Sequence, residues 1–184
     1  SLTENTTGTN NVAVGTAALD ANLVGNSNVA VGMSALTQST ASDNTAVGMS
    51  AQFNTTTGTS NVAVGTYAMN GNSTGSYNTA VGRGCLGNNT TADNNTAVGY
   101  VALLNNTTGT VNVAVGAEAL DANTTGSYNT AVGMRALTTN TTGEYNTALG
   151  LEALRNSTSA HGNTAVGYYA ARATTSGVLN TAVG

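Results

Sequence analysis

The chain has 184 residues, a net charge of −4 and only 7% charged side chains, with no Pro, no Trp, no Lys and a single Phe. Its 34 Thr, 26 Asn and 23 Gly leave too little bulk for a large aromatic core, so burial must come from many small layers of Ala, Val and Leu. Four Arg are too few for a nucleic-acid footprint or a polybasic membrane contact, no run reaches the roughly 18 apolar residues of a membrane span, no signal peptide opens the chain, and one Cys builds no disulfide framework.

A repeat governs the order of residues. Asn-Thr/Val-Ala-Val-Gly, with Leu149 the one departure at its fourth place, begins at Asn11, Asn28, Asn44, Asn61, Asn78, Asn95, Asn112, Asn129, Asn146, Asn163 and Asn180. Nine of the ten intervals are 17 residues and one, Asn28 to Asn44, is 16. A fixed short period marks a solenoid. The expected fold class is therefore all-β: a parallel β-solenoid of about eleven coils, with residues 1–10 a partial first coil and 11–184 one continuous array. Starting at Ser1 and stopping at the end of a pentapeptide, the chain reads as a segment of something longer.

With the Asn as place one, places two to four alternate like a strand that is apolar on both faces. Gly at place five suits a corner with positive φ or a close backbone approach. Places six to nine carry Ala at place eight, with Cys85 the exception, and Leu at place nine in most coils. They fit neither period cleanly, and a second strand is favoured over a helical turn because 17 residues leave little room for a helix. Places twelve to fifteen, as in Asn106-Thr107-Thr108-Gly109, read as a turn with Gly in the left-handed position; coils with Ala41, Ala92 or Ala160 there should turn differently.

Stacking in register lays every place into a column along the axis at about 4.8 Å per coil, for a rod of roughly 50 Å. The Asn column becomes an amide ladder, each side-chain amide donating to a carbonyl of the next coil. Glu118, Arg135 and Glu152 share place seven on consecutive coils and should form an exposed acid, base, acid ladder. Thr107, Thr108, Thr124, Thr125, Thr141 and Thr142 make a double column that a surface ligand, ice included, would use. Tyr128 and Tyr145 should stack.

The Asn-Thr/Val-Ala-Val-Gly ladder resembles the head repeats of trimeric autotransporter adhesins of the YadA type, and similar repeats in phage tail fibres. The resemblance spans Asn11 to Gly184. It implies a left-handed parallel β-roll that associates as a homotrimer on a cell or virion surface. The 17-residue period exceeds the usual adhesin-head coil, and no neck, stalk or anchor is present. A trimer would cover the outer apolar face of the strands.

Catalysis, cofactors and metals find no support in the residues. Cys85 reads as a buried thiol at an Ala site. His161 reads as a solvated turn residue with no acid beside it, and no third group completes a nucleophilic site. Glu118 and Glu152, with Arg135 between them on a flat ladder, make a poor glycosidase pair. Asp20 and Asp121 lie six coils apart and Asp43 and Asp93 three, too far for a shared cation. The Asn-x-Thr triplets at Asn54, Asn72, Asn89, Asn106, Asn123 and Asn140 read as turn chemistry first and as glycosylation acceptors second. The expected function is a rigid, trimeric, extracellular shaft or head that presents a surface for attachment to a glycan or protein receptor. A self-assembling filament and a Thr-based ice-binding solenoid are the alternatives.

Overall fold

The computed structural model describes residues 1–184 throughout. Eleven three-residue strands follow one another: β1 Val12–Val14, β2 Val29–Val31, β3 Thr45–Val47, β4 Val62–Val64, β5 Thr79–Val81, β6 Thr96–Val98, β7 Val113–Val115, β8 Thr130–Val132, β9 Thr147–Leu149, β10 Thr164–Val166 and β11 Thr181–Val183. They form one parallel sheet in sequence order, so the chain is an all-β parallel solenoid of about ten turns without a helix. Every place pairs with itself, as Thr130 with Thr147 and Ala131 with Ala148.

The short coil keeps this register, with Val29 opposite Thr45 and Ala30 opposite Ala46. Thr40 donates its amide to the Thr56 carbonyl, place thirteen to place thirteen, and Ala41 follows at place fifteen. The missing residue thus comes out of place fourteen, an exposed turn site in every other full coil. A deletion there costs the sheet nothing.

The core is a thin file of small layers. Ala at place three, Ala or Cys85 at place eight and Leu or Met69 at place nine are buried from coil to coil, forming one cluster of 27 residues. The Gln52 side chain takes the Leu place in the third coil. Its amide reaches the Thr45 and Asn61 carbonyls at 3.0 and 3.3 Å, while its own oxygen and the nearby Thr55 hydroxyl stay buried without a partner.

Places six to nine form a turn, not the second strand their composition favours. Places seven and nine take positive φ in every full coil, for example Val101 at 48° and Leu103 at 53°. Each left-handed residue reverses the alternation, so consecutive places eight and nine both face inward; this is why neither period fits. The turns still bond coil to coil: Val101 N–H donates to the Arg83 carbonyl at 3.0 Å and Leu103 N–H to the Ala119 carbonyl at 2.9 Å. Of 114 backbone hydrogen bonds only 20 lie within the strands, so the turns hold most of the stack together.

A left-handed L-residue costs about 1 to 2 kcal/mol, and 30 non-glycine residues adopt it, all at places seven, nine and seventeen. Gly at place five is needed twice over. Gly133 has φ 133°, and a Cβ there would stand 2.4 Å from the Gly150 carbonyl oxygen of the next coil. The place-fifteen Gly has a different reason from the one its turn motif implies. Its φ is not left-handed, and place seventeen carries that conformation instead; the reason is close approach, since a Cβ at Gly109 would stand 2.2 Å from the Gly126 carbonyl oxygen of the next coil. The coils with Ala41, Ala92 and Ala160 must open that contact, yet they accept the same side-chain bonds as glycine, from Asn28, Asn78 and Asn146 at 2.7 to 2.8 Å.

Two substitutions separate these positions. Gly133→Ala should lose about 2 kcal/mol or more. Val111→Asn, at a place where Asn10 and Asn94 already take φ near 60°, should gain about 1 kcal/mol by relieving a β-branched residue. Urea midpoints measure both, and equal midpoints would contradict the strain assignment.

Candidate functional site

The conserved geometry of the coil creates two internal amide columns and three kinds of surface. In the first column, Asn129 N–H donates to Asn112 Oδ1 at 2.9 Å, its Nδ2 donates to the Gly143 carbonyl at 2.8 Å, and its Oδ1 accepts the Asn146 N–H at 3.0 Å. The pattern runs from Asn11, through Asn28, Asn44, Asn61, Asn78, Asn95 and Asn112, to Asn163 and Asn180. The Nδ2 donates one level along the axis as expected, but to a main-chain carbonyl and not to the next side-chain amide. The next coil's backbone N–H claims the side-chain oxygen first, and direct amide-to-amide contacts are longer, 3.1 Å from Asn146 and 3.4 Å from Asn163.

A second column escapes the turn reading of place twelve. Asn89, Asn106, Asn123 and Asn140 each donate Nδ2 to the preceding Asn Oδ1, at 2.8 to 3.1 Å, starting from Asn72. The same Nδ2 also closes the local turn onto the carbonyl three residues on, as Asn123 does to Gly126 at 2.9 Å. The signal was the recurrence of Asn at place twelve in step with place one. These Asn are fully buried, so the triplets at Asn72, Asn89, Asn106, Asn123 and Asn140 present no acceptor nitrogen to a glycosyl donor in the folded chain.

The paired Thr columns divide. At place thirteen Thr107, Thr124 and Thr141 turn their hydroxyls along the axis and donate to the carbonyls of Thr124, Thr141 and Thr158 at 2.9, 3.0 and 3.1 Å. Thr108, Thr125 and Thr142 remain exposed. A single open file replaces the double plane that ice binding would require.

The broadest uniform surface is the outer face of the sheet. Place-three Ala points into the core, while places two and four point out. Val64, Val81, Val132 and Val166 are 36 to 38% exposed, and the place-four column is Val throughout except Leu149. No charged residue occupies either column in any coil. Met33, Tyr100, Met134 and Tyr168 at place six, and Tyr77, Val111, Tyr128 and Tyr145 at place seventeen, flank it with further exposed apolar area. Contiguous apolar surface of this kind marks an interaction site.

The charged surface lies past the glycine corner. Arg135 Nε donates to Glu118 Oε2 at 2.6 Å, and this bond holds the Glu118 carboxyl below its ordinary pKa and raises that of Arg135. Glu152 is not on an open face as expected: it is 7% exposed, because Arg155 and Arg172 close over it at 3.6 and 2.7 Å, with Arg135 at 4.0 Å. Arg172 also lies 4.7 Å from the Tyr169 ring centre. Tyr128 and Tyr145 stack at 5.0 Å with rings 2° from parallel. A surface recess borders the same cluster, lined by Asn156, Tyr169 and Arg172 among others.

The remaining singular residues are held locally. Cys85 is a buried free thiol whose Sγ contacts the Gly99 carbonyl, and burial pushes its pKa up. His161 does have an acid beside it, since Glu144 occupies place sixteen of the preceding coil; the contact, however, is Glu144 backbone N–H donating to His161 Nδ1 at 3.1 Å. No group of three or more His, Cys, Asp or Glu comes together. Comparison with protein-family models, with curated proteins and with solved structures finds no match to this chain.

Two measurements follow from the columns. Asn129→Ala would strand the buried Asn146 N–H and leave the Gly143 carbonyl with Asn140 Nδ2 as its one side-chain donor; it should cost about 1 to 3 kcal/mol in urea unfolding. Asp121 sits at place ten, where Thr138 and Asn70 donate to the place-seven carbonyl below at 3.0 and 3.2 Å. A carboxylate cannot donate, one of its oxygens is buried without a partner, and burial followed by Glu118 raises its pKa. A carboxylate whose folded-state pKa is raised weakens the fold where it is ionised and costs nothing once protonated. Asp121→Asn should therefore be more stable than the parent near pH 7, and the gain should vanish near pH 3; an equal difference at both pH values would reject this account.

Proposed function

We propose that this chain is a rigid segment of an extracellular fibre, a shaft or head in which three left-handed solenoids associate along their Val and Thr sheet faces, and that it serves attachment of a cell or virion. The carrying observation is the outer sheet face: a charge-free column of half-exposed to exposed Val, with Leu149 the one departure, running the length of the rod. The rest of the surface is Thr, Asn and Gly turns, which water covers well. A homotrimer removes the apolar face from water and leaves the turns outside to meet a receptor. The resemblance to adhesin heads and tail fibres supports the same arrangement and handedness. Function on this reading is mechanical and display-based, without a catalytic step.

Light scattering on the purified chain tests it. Three chains of 18.1 kDa should give a mass of about 54 kDa. Val98→Asp with Val132→Asp places two carboxylates on the face and should reduce the mass to one chain with the circular dichroism unchanged. A parent mass of one chain would remove the trimer, and a large mass that grows with time would favour the filament instead.

A further inference from the structure

Three of the four Arg in the whole chain, Arg135, Arg155 and Arg172, gather within three coils. Their charges are not evenly matched. Arg135 is held by Glu118, and Asp121 lies two coils below Glu152 at place ten. Glu152 is left as the one carboxylate for Arg155 and Arg172, so the upper end of the cluster carries an uncompensated positive charge. The Nε atoms of both Arg are buried, but the side chains remain 32% and 41% exposed. An ion-pair network built only for stability would balance its charges.

Aromatic rings stand beside this charge. Arg172 packs over Tyr169, and Tyr169 stacks on Tyr168 with ring centres 3.9 Å apart. Tyr168 is exposed, with one ring face against Tyr169 and the other open. Asn156 adds a side-chain amide at the rim. Partly exposed guanidinium groups recognise carboxylate or sulfate, and an open tyrosine face accepts the apolar face of a sugar ring.

We infer that Arg155, Arg172, Tyr168 and Tyr169 form a binding site for an acidic saccharide of two or three rings, its carboxylate or sulfate on the two guanidiniums and a neighbouring ring on Tyr168. The site lies at the edge of the sheet face: Tyr168 at place six borders that face, and Arg155 and Arg172 at place ten stand past the glycine corner, outside the columns that the trimer pairs. It rests on the attachment role proposed above and names the class of receptor. Three copies on one trimer raise the avidity for a surface bearing many such saccharides.

Titration of the 184-residue chain with 3′-sialyllactose, with a sulfated chondroitin disaccharide and with lactose tests it. At least one acidic sugar should bind saturably with a Kd of about 1 mM, weakened by salt, while lactose does not bind. The carboxylate and sulfate probes show which acid is preferred. Arg155→Thr with Arg172→Asn, made together with Glu152→Gln to remove the carboxylate they cover, should weaken binding about tenfold or more; Thr138 and Asn70 already fill the same place elsewhere. Tyr168→Met, with Met33 and Met134 as precedents at place six, should weaken it about threefold. No saturation by either acidic sugar, equal binding of lactose, or full binding by both variants overturns the site. A trimer mass without binding rejects this inference alone, and binding by a single chain rejects only the trimer.

Discussion

Everything in this fold depends on like lying upon like. Because each coil stacks in register on the next, every side chain must be compatible with a neighbour at its own place about 4.8 Å away. Asn passes that condition better than any other polar residue: it offers a donor and an acceptor, so a file of Asn satisfies itself inside a core that is otherwise Ala and Leu. Gly passes it at place five because two backbones meet there with no room for a Cβ. Charges pass it when their sign alternates, as Glu118, Arg135 and Glu152 do, or when a neighbouring column supplies the opposite charge, as Glu152 does for the stacked Arg155 and Arg172. Aromatic rings pass it by stacking, as at Tyr128 and Tyr145.

The same condition explains how much was legible beforehand. The period, the parallel register and the separation of Ala from Val and Thr onto opposite faces follow from Asn-Thr/Val-Ala-Val-Gly itself; that Ala is the inward side came from the structure, because both faces are apolar. Places six to nine were not legible, because residues such as Val101 and Leu103 adopt a left-handed backbone that their own chemistry disfavours. Only the bonds to coils above and below hold them there. The place-twelve ladder was hidden by a correct but partial reading: Asn123 closes its turn and, with the same nitrogen, joins the column. Burial of Glu152 needed Arg172 from another place on another coil, a contact that single-column reasoning does not reach.

The surfaces divide the work. Turn places carry polar side chains whose hydroxyls and amides are often tied along the axis, which makes the outside of the rod regular and well hydrated. The sheet face is the one extended surface that water covers poorly. The cluster of Arg155, Arg172 and Tyr169 concentrates charge and aromatic area on the turn side, as Arg83 over Tyr100 does to a lesser degree. On the proposed reading, association uses the sheet face, and the guanidiniums of the recognition site stand past the glycine corner from it.

The direction of the hydrogen bonds has a mechanical consequence. Strand ladders, Asn columns and Thr hydroxyl files all run parallel to the long axis. Bending and compression push against the whole cross-section at once, but a pull on a chain end loads first the bonds of the coil at that end. Under tension such a rod yields by peeling, one coil at a time, each releasing 17 residues and up to about 60 Å of chain. A tether of this kind is stiff at rest and lengthens in small steps when dragged, which spreads a sudden load over time. The third coil, with Gln52 and Thr55 holding unpartnered polar atoms in its core, is the layer least able to resist.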